Sequence, residues 1–169
     1  MKYLFLCCLI IAVSCSLHAQ HTGIQKGVVS FSFVEKDVSG TLSDFSSTSV
    51  IDWDNLENSV IEGQVASETI RTGNFIRDFS LRRSTYFDVE HFPFITFKST
   101  KIETEADSII VYGTLSLKGI SKPIIILFQK EGDTLTGTTT LFTSDFDITI
   151  LKKDRESNKV TVSFVLQLV

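Results

Sequence analysis

Few side chains in this sequence could do acid–base or nucleophilic chemistry. Past residue 19 only two histidines remain, His21 and His91. Acyl transfer needs a nucleophile, a base and a group that orients the base, and no such set is present. Cys7, Cys8 and Cys15 all precede residue 20, so the rest of the chain contains neither a thiol nor a disulfide.

Metal and phosphate motifs are equally sparse. The chain has no H-x-x-x-H pair of the kind that binds zinc. Asp145 and Asp147 form an isolated D-x-D, which is more often a loop than a calcium site. Gly113 and Gly119 flank a predicted strand and belong to no glycine-rich phosphate loop. We therefore predict a protein that is not an enzyme, with no metal site and no cofactor.

A cluster of arginines is the strongest candidate for a polar binding site. One reading of this cluster is a basic rim able to hold a phosphate or another polar head group, formed by Arg71, Arg77, Arg82 and Arg83. The alternative is a solvated helix face with a structural contact from Arg77 and Asp78 to nearby loops, because surface charges seldom need a ligand to explain them. The sequence leaves both readings open and favours the second.

The arginines fall on a short predicted helix, residues 75 to about 83. Asn74 is a good N-cap, because its side-chain oxygen can accept a hydrogen bond from the first turn. Three apolar residues, Phe75, Ile76 and Phe79, share a face and are predicted to pack onto the rest of the domain. On the opposite, exposed side we expect Asp78 and Arg82 to pair, four residues apart.

Short runs of alternating apolar and polar residues surround this helix. They lie at 28–34, 37–44, 47–53, 60–66, 92–102, 109–118, 122–130, 134–143 and 160–168. Period-two alternation of this kind predicts half-buried antiparallel strands. Pro93 fits the start of a strand, because proline donates no ladder hydrogen bond, and the charged residues 152–159 are predicted to be a solvated hairpin tip. The fold class is all-β with one main helix, as a barrel or sandwich.

Residues 68–100 resemble the signature of the YceI-like family. The matching positions are Ile70, Thr72, Gly73, Asn74, Arg77, Asp78, Leu81, Ser84, Phe87, Asp88, Val89, Pro93, Ile95, Phe97, Ser99 and Thr100. Further matches are Val38-Ser39-Gly40 with Phe45, the segment 113–123, and Ser144-Asp145-Phe146. Ser80 and Lys118 stand where many members carry histidine, and Asp147 where glycine is usual. The resemblance implies an antiparallel lipocalin-like β-barrel that encloses an isoprenoid or another long-chain lipid.

The inward side of the predicted barrel is rich in phenylalanine. The alternation assigns ten residues to it: Phe31, Phe33, Ile95, Phe97, Val111, Leu115, Ile126, Phe128, Val162 and Phe164. A small barrel holds either its own side chains or one small ligand, and periodicity does not separate a solid core from an apolar pocket. The resemblance favours the pocket, with an isoprenoid or a fatty-acid-like lipid as its occupant. The alternative is a ligand-free structural or interaction module.

The first 19 residues have the layout of a secretory signal peptide. One positive charge, Lys2, precedes an apolar stretch at 3–13, and the small residue Ala19 precedes Gln20. A membrane span needs about 20 apolar residues, so none is expected. We predict cleavage after Ala19, a mature domain at 20–169 and a periplasmic or secreted location; the alternative is a lipoprotein anchored at Cys15.

The charge balance of the chain argues against nucleic acid as a partner. The chain carries a net charge of −4, and loss of Lys2 with the signal peptide makes the mature net charge −5. Binding to nucleic acid would require clustered Lys and Arg against the phosphates, so we predict no nucleic-acid partner. The sequence leaves the oligomeric state open.

Overall fold

The computed structural model describes residues 21–169, so the predicted signal peptide and its cleavage site lie outside the described residues. Eleven strands and one α-helix occur in this range. The strands are β1 (His21–Thr22), β2 (Ile24–Phe33), β3 (Val38–Leu42), β4 (Ser46–Ser47), β5 (Ile51–Asp52), β6 (Glu62–Ala66), β7 (Phe94–Glu105), β8 (Ser108–Leu117), β9 (Ile120–Glu131), β10 (Thr134–Phe142) and β11 (Lys159–Leu168). The helix is α1 (Phe75–Arg82), between β6 and β7.

Nine of the strands form one antiparallel sheet in the order β3-β2-β11-β10-β9-β8-β7-β6-β4. Its two ends are tied together, because Thr41 and Arg71 exchange backbone hydrogen bonds of 2.9 and 3.0 Å. Nearby, the backbone N–H of Ala66 donates to the carbonyl of Ser43 at 3.3 Å. The sheet therefore curls into a barrel, while β1 and β5 form a separate two-stranded ribbon.

Alternation along the strands decides which side of the sheet faces the barrel interior. In β8 every second residue is buried, including Val111, Leu115 and Leu117. This is the pattern expected of a strand with one face toward the core and one toward water. The predicted fold class, an antiparallel β-barrel with one main helix, is confirmed.

The predicted strand at 47–53 is wrong in its extent, because the chain forms only β4 and β5 there. Between them the carbonyl of Glu62 accepts three hydrogen bonds, from the hydroxyls of Ser47 and Ser49 and from the backbone N–H of Thr48. These side-chain contacts compete with a regular ladder and interrupt the strand.

The connection at 152–159 is not merely a solvated tip, because Asn158 is buried within it. The Asn158 side-chain oxygen accepts from the backbone N–H groups of Ile150 and Leu151, both at 2.9 Å. Its amide nitrogen donates to the carbonyl of Leu151 at 2.9 Å. One amide side chain thus pairs backbone groups of its own loop, which would otherwise be left without partners in a buried place.

Helix α1 begins as predicted, since Asn74 caps it by accepting from the backbone N–H of Arg77 at 3.0 Å. The predicted inward face is wrong: Phe75, Ile76 and Phe79 are 79%, 76% and 52% exposed. The buried helix residue is Asp78, at 5% exposure. The physical reason lies in the segment before the helix, whose backbone groups bind the polar side of α1.

Candidate ligand-binding cavity

The barrel encloses an apolar cavity of about 460 Å³. This volume lies within the usual range of small-molecule sites, about 300–1,000 Å³. Nine of the ten residues predicted to face inward border the cavity: Phe31, Phe33, Ile95, Phe97, Leu115, Ile126, Phe128, Val162 and Phe164. The tenth, Val111, is fully buried in a core cluster with Ile102, Ile109 and Leu135 and does not border it.

Residues outside the regular strands complete the lining. Ile70, Leu81 and Phe87 come from the segments on either side of α1 and from the helix itself, and Phe146, Ile148 and Ile150 come from the loop after β10. Sequence reasoning missed them, because period-two alternation assigns sides only within strands. The signals for them in the sequence were their apolar character and, for Ile70, Leu81, Phe87 and Phe146, their place in the family signature.

Glycines in the strands explain why so many phenylalanines leave the interior open. A Cβ atom at Gly40 would stand 2.5 Å from Cζ of Phe31, so this ring occupies the space of the missing side chain. The ring of Phe128 lies over Gly137 in the same way. Rings placed over glycine lie against the barrel wall, and the centre of the barrel stays free.

The polar groups of the lining are few and unevenly charged. Lys36 and Arg77 border the cavity as cations and Glu62 as an anion. The Glu62 carboxylate lies 2.9 Å from the ammonium group of Lys98, and this pair is solvent-exposed. The cavity can therefore take an apolar chain, with two cations and one anion at its border.

The four arginines predicted as a basic rim have different surroundings. Arg77 borders the cavity, and its guanidinium donates to the hydroxyl and the carbonyl of Thr72 at 2.7 and 3.0 Å. Arg82 donates to the carbonyls of Glu68 and Ile70 at 2.7 and 2.9 Å. The guanidinium group of Arg83 stacks on the ring of Phe79. Arg71 borders a separate shallow groove, which Gly40 also lines. The structure thus places only Arg77 of these four at the cavity.

Asp78 holds the start of the helix against the barrel. Its carboxylate accepts from the backbone N–H of Thr72 at 2.8 Å and from the Thr72 hydroxyl at 2.5 Å. The expected exposed pair with Arg82 is therefore wrong, because Asp78 is buried and Arg82 binds backbone carbonyls. Burial acts to raise the pKa of Asp78, but the two Thr72 hydrogen bonds and the charges of Arg82 and Arg71 outweigh it and lower the pKa.

The candidate catalytic side chains have ordinary structural surroundings. His91 lies on an exposed turn with Nδ1 2.9 Å from the Asp88 carboxylate, whose hydrogen bond and charge raise the pKa of the histidine. Asp145 accepts two hydrogen bonds from Arg155, at 2.9 and 2.6 Å. Within residues 21–169 no group of three His, Cys, Asp or Glu side chains is placed to hold a metal ion.

Lys118 links two loops by hydrogen bonds. It stands at a position where many YceI-like sequences carry histidine. Its ammonium group donates to the carbonyl of Asp147 at 2.8 Å and to that of Thr85 at 3.3 Å. Both Lys118 and Asp147 have positive φ, 51° and 56°. Two of the three departures from the family pattern, Lys118 and Asp147, therefore contact each other.

Comparison with known families matches the YceI-like domain over residues 16–168. The chain belongs to the YceI-like family. A UPF0312 protein of Photorhabdus laumondii is 30% identical to this YceI-like chain over 94 residues, 56% of this chain and 49% of that protein. The YceI protein of Salmonella newport is 31% identical over 87 residues, 52% and 46% of the two chains. Each match spans about half the length of the relative.

Solved structures share the fold of this YceI-like protein. BcnA of Burkholderia cenocepacia superposes with a TM-score of 0.75 at 20% identity, covering 85% of this chain and 96% of BcnA. A polyisoprenoid binding domain from Saccharophagus degradans gives a TM-score of 0.60 at 14% identity, covering 87% and 97%. At these identities the likeness shows the fold alone. Across residues 21–169, no helix has the length and apolar character needed to cross a membrane.

Proposed function

We propose that this YceI-like barrel binds an isoprenoid or another long-chain apolar lipid and carries or sequesters it in the periplasm or outside the cell. The observation that carries the proposal is the apolar cavity of about 460 Å³ inside the barrel. The polyisoprenoid binding domain from Saccharophagus degradans, which has the same fold, supports it.

The physical driver is the removal of apolar surface from water. Each buried methylene contributes about 0.8 kcal/mol, and the ordering of a flexible chain offsets part of that gain. No bond is made or broken, so the proposed function needs none of the catalytic groups that the chain lacks. A head group held by Arg77, one of the two readings of the arginines, would lie at the border of the cavity.

Replacement of Phe164 by Trp tests the proposal. Phe164 borders the cavity, and its ring centroid is 6.0 Å from that of Phe128. A larger ring in an occupied cavity displaces ligand, whereas a solid core loses about 1–3 kcal/mol of stability when overpacked. We expect Phe164→Trp to keep its thermal stability and to co-purify with less lipid, measured by native mass spectrometry of protein from its own cells.

The matched control is Phe94→Trp, since Phe94 is a half-exposed phenylalanine that does not border the cavity. Its lipid content should equal that of the parent protein. A destabilised Phe164→Trp variant, together with a parent protein free of lipid, would favour the ligand-free module with a solid core.

A further inference from the structure

Helix α1 turns its apolar side to the solvent. Phe75, Ile76 and Phe79 are 79%, 76% and 52% exposed, and at 100° per residue they share one face of the helix. The opposite face carries Asp78, which is buried, and Leu81, which borders the cavity. Three large apolar side chains in water on one turn of helix are an uncommon surface, and such surfaces mark interaction sites.

One basic side chain belongs to this face, which we name the α1 outer face and define as Phe75, Ile76, Phe79 and Arg83. Arg83 is exposed and stacks on Phe79 with its guanidinium carbon 5.0 Å from the ring centroid. Arg71 is exposed just before the helix, and the acid within α1, Asp78, is buried. The α1 outer face is thus apolar and basic, although the whole chain has a net charge of −4.

The same helix also borders the cavity. Arg77 and Leu81 line it from one side of α1, while the α1 outer face lies on the other. A helix with its side chains is about 10–12 Å across. Whatever binds the α1 outer face therefore comes within about one helix diameter of the cavity.

We propose that the α1 outer face docks on the surface of a lipid bilayer that contains anionic lipids. Phe and Ile on one face with Arg beside them match the pattern of helices that lie in the headgroup region of a bilayer. Anionic headgroups attract the arginines, in agreement with the local charge. The further consequence, that docking places the cavity where lipid enters or leaves, rests on the proposed function.

The charge of the α1 outer face favours a bilayer over a second copy of this chain as its partner. A symmetric contact between two α1 outer faces would bring the same patch of each copy together. Arg83 of one copy would then share the contact with Arg83 of the other, and like charges across an interface are unfavourable. An anionic bilayer offers the opposite charge over the whole patch.

Vesicle flotation with the mature chain tests the proposal. The probes are vesicles of phosphatidylcholine alone and vesicles that also contain phosphatidylglycerol. We expect binding to the anionic vesicles and a loss of about tenfold or more when Phe75, Ile76 and Phe79 are all replaced by Ser. Arg83→Gln should weaken binding to anionic vesicles about fivefold and leave binding to neutral vesicles unchanged, the effect of one basic residue near such a surface.

The matched control replaces Ile125 and Leu127 by Ser, because these are apolar residues at 50% and 52% exposure on the outside of β9. Its vesicle binding should equal that of the parent. Equal losses in both variants, or no binding by the parent, would overturn the proposal. So would a shift from dimer to monomer in the triple variant by analytical ultracentrifugation, since that result assigns the face to a second copy.

Native mass spectrometry of the same samples keeps the two proposals distinct. A parent protein that binds anionic vesicles but never carries lipid supports docking and contradicts the proposed function. A parent protein that carries lipid but ignores vesicles contradicts docking alone.

Discussion

At the residue scale, Asp78 shows how one buried carboxylate sets the orientation of a helix. Its hydrogen bonds from Thr72 draw the polar side of α1 toward the barrel and leave Phe75 and Ile76 in water. Apolar periodicity identified the helix and its apolar face but not the side that is buried. That choice depends on backbone groups of the preceding segment, which the helix sequence does not contain.

We expect Asp78→Asn to destabilise the fold by about 1–2 kcal/mol at neutral pH, because a hydrogen bond to a charged acceptor is stronger than one to a neutral amide. The pKa of Asp78 is lower in the folded state than in the unfolded chain. Its stabilising contribution is therefore present above the unfolded value of 3.8 and is lost as the pH falls through the folded value.

Urea unfolding at pH 7 and at pH 3 measures both effects. The difference between the parent and Asp78→Asn should shrink at the lower pH. Asp107→Asn, in an exposed turn, is the matched control and should unfold like the parent. A constant difference at both pH values would show that the charge of Asp78 does not matter.

At the element scale, the pairing of β10 with β9 affects the volume of the cavity. Gly137 in β10 pairs with Phe128 in β9, and the phenylalanine ring lies over the glycine. A Cβ added at Gly137 would meet three atoms of this ring, the nearest at 2.4 Å. The ring therefore has to move if the glycine is replaced.

We expect Gly137→Ala to push the Phe128 ring toward the cavity and to reduce the amount of co-purifying lipid. The cost in stability should stay below about 3 kcal/mol, the usual limit for overpacking. Lipid extraction followed by mass spectrometry measures the effect. Thr138→Ala, at the next, outward-facing position of β10, should retain its lipid; an unchanged lipid content in Gly137→Ala would contradict the role of the Phe128–Gly137 pair.

The strands show what could be predicted from sequence and what could not. Alternation placed Phe31, Phe97 and Phe164 on the inward side, because a strand repeats every two residues wherever it is paired. It did not separate β4 from β5, because hydroxyls of Ser47 and Ser49 bind the carbonyl of Glu62 from another strand. It also missed Asn158, whose partners lie in its own irregular loop. Contacts outside the strand ladders follow no sequence period, so alternation does not predict them.

At the scale of the whole molecule, the N-terminal residues lead to a prediction about export. We expect the exported protein to begin at Gln20, because a short apolar stretch and a small residue at Ala19 precede it. Intact-mass measurement and N-terminal sequencing of protein from the exported fraction check this. A lipid-modified Cys15 at the N-terminus would contradict cleavage after Ala19 and support the lipoprotein alternative.

The pairing of β2 with β11 has a consequence for how the barrel folds. These strands are neighbours in the sheet although they lie near opposite ends of the described chain. Contacts so distant in sequence require a large loop to close first, and domains dominated by them fold in about milliseconds to seconds. Until β11 inserts, β2 and β10 each present an unpaired edge that can associate with other chains. The pairing of β11 with β2 and β10 therefore decides when the barrel first becomes able to enclose a ligand.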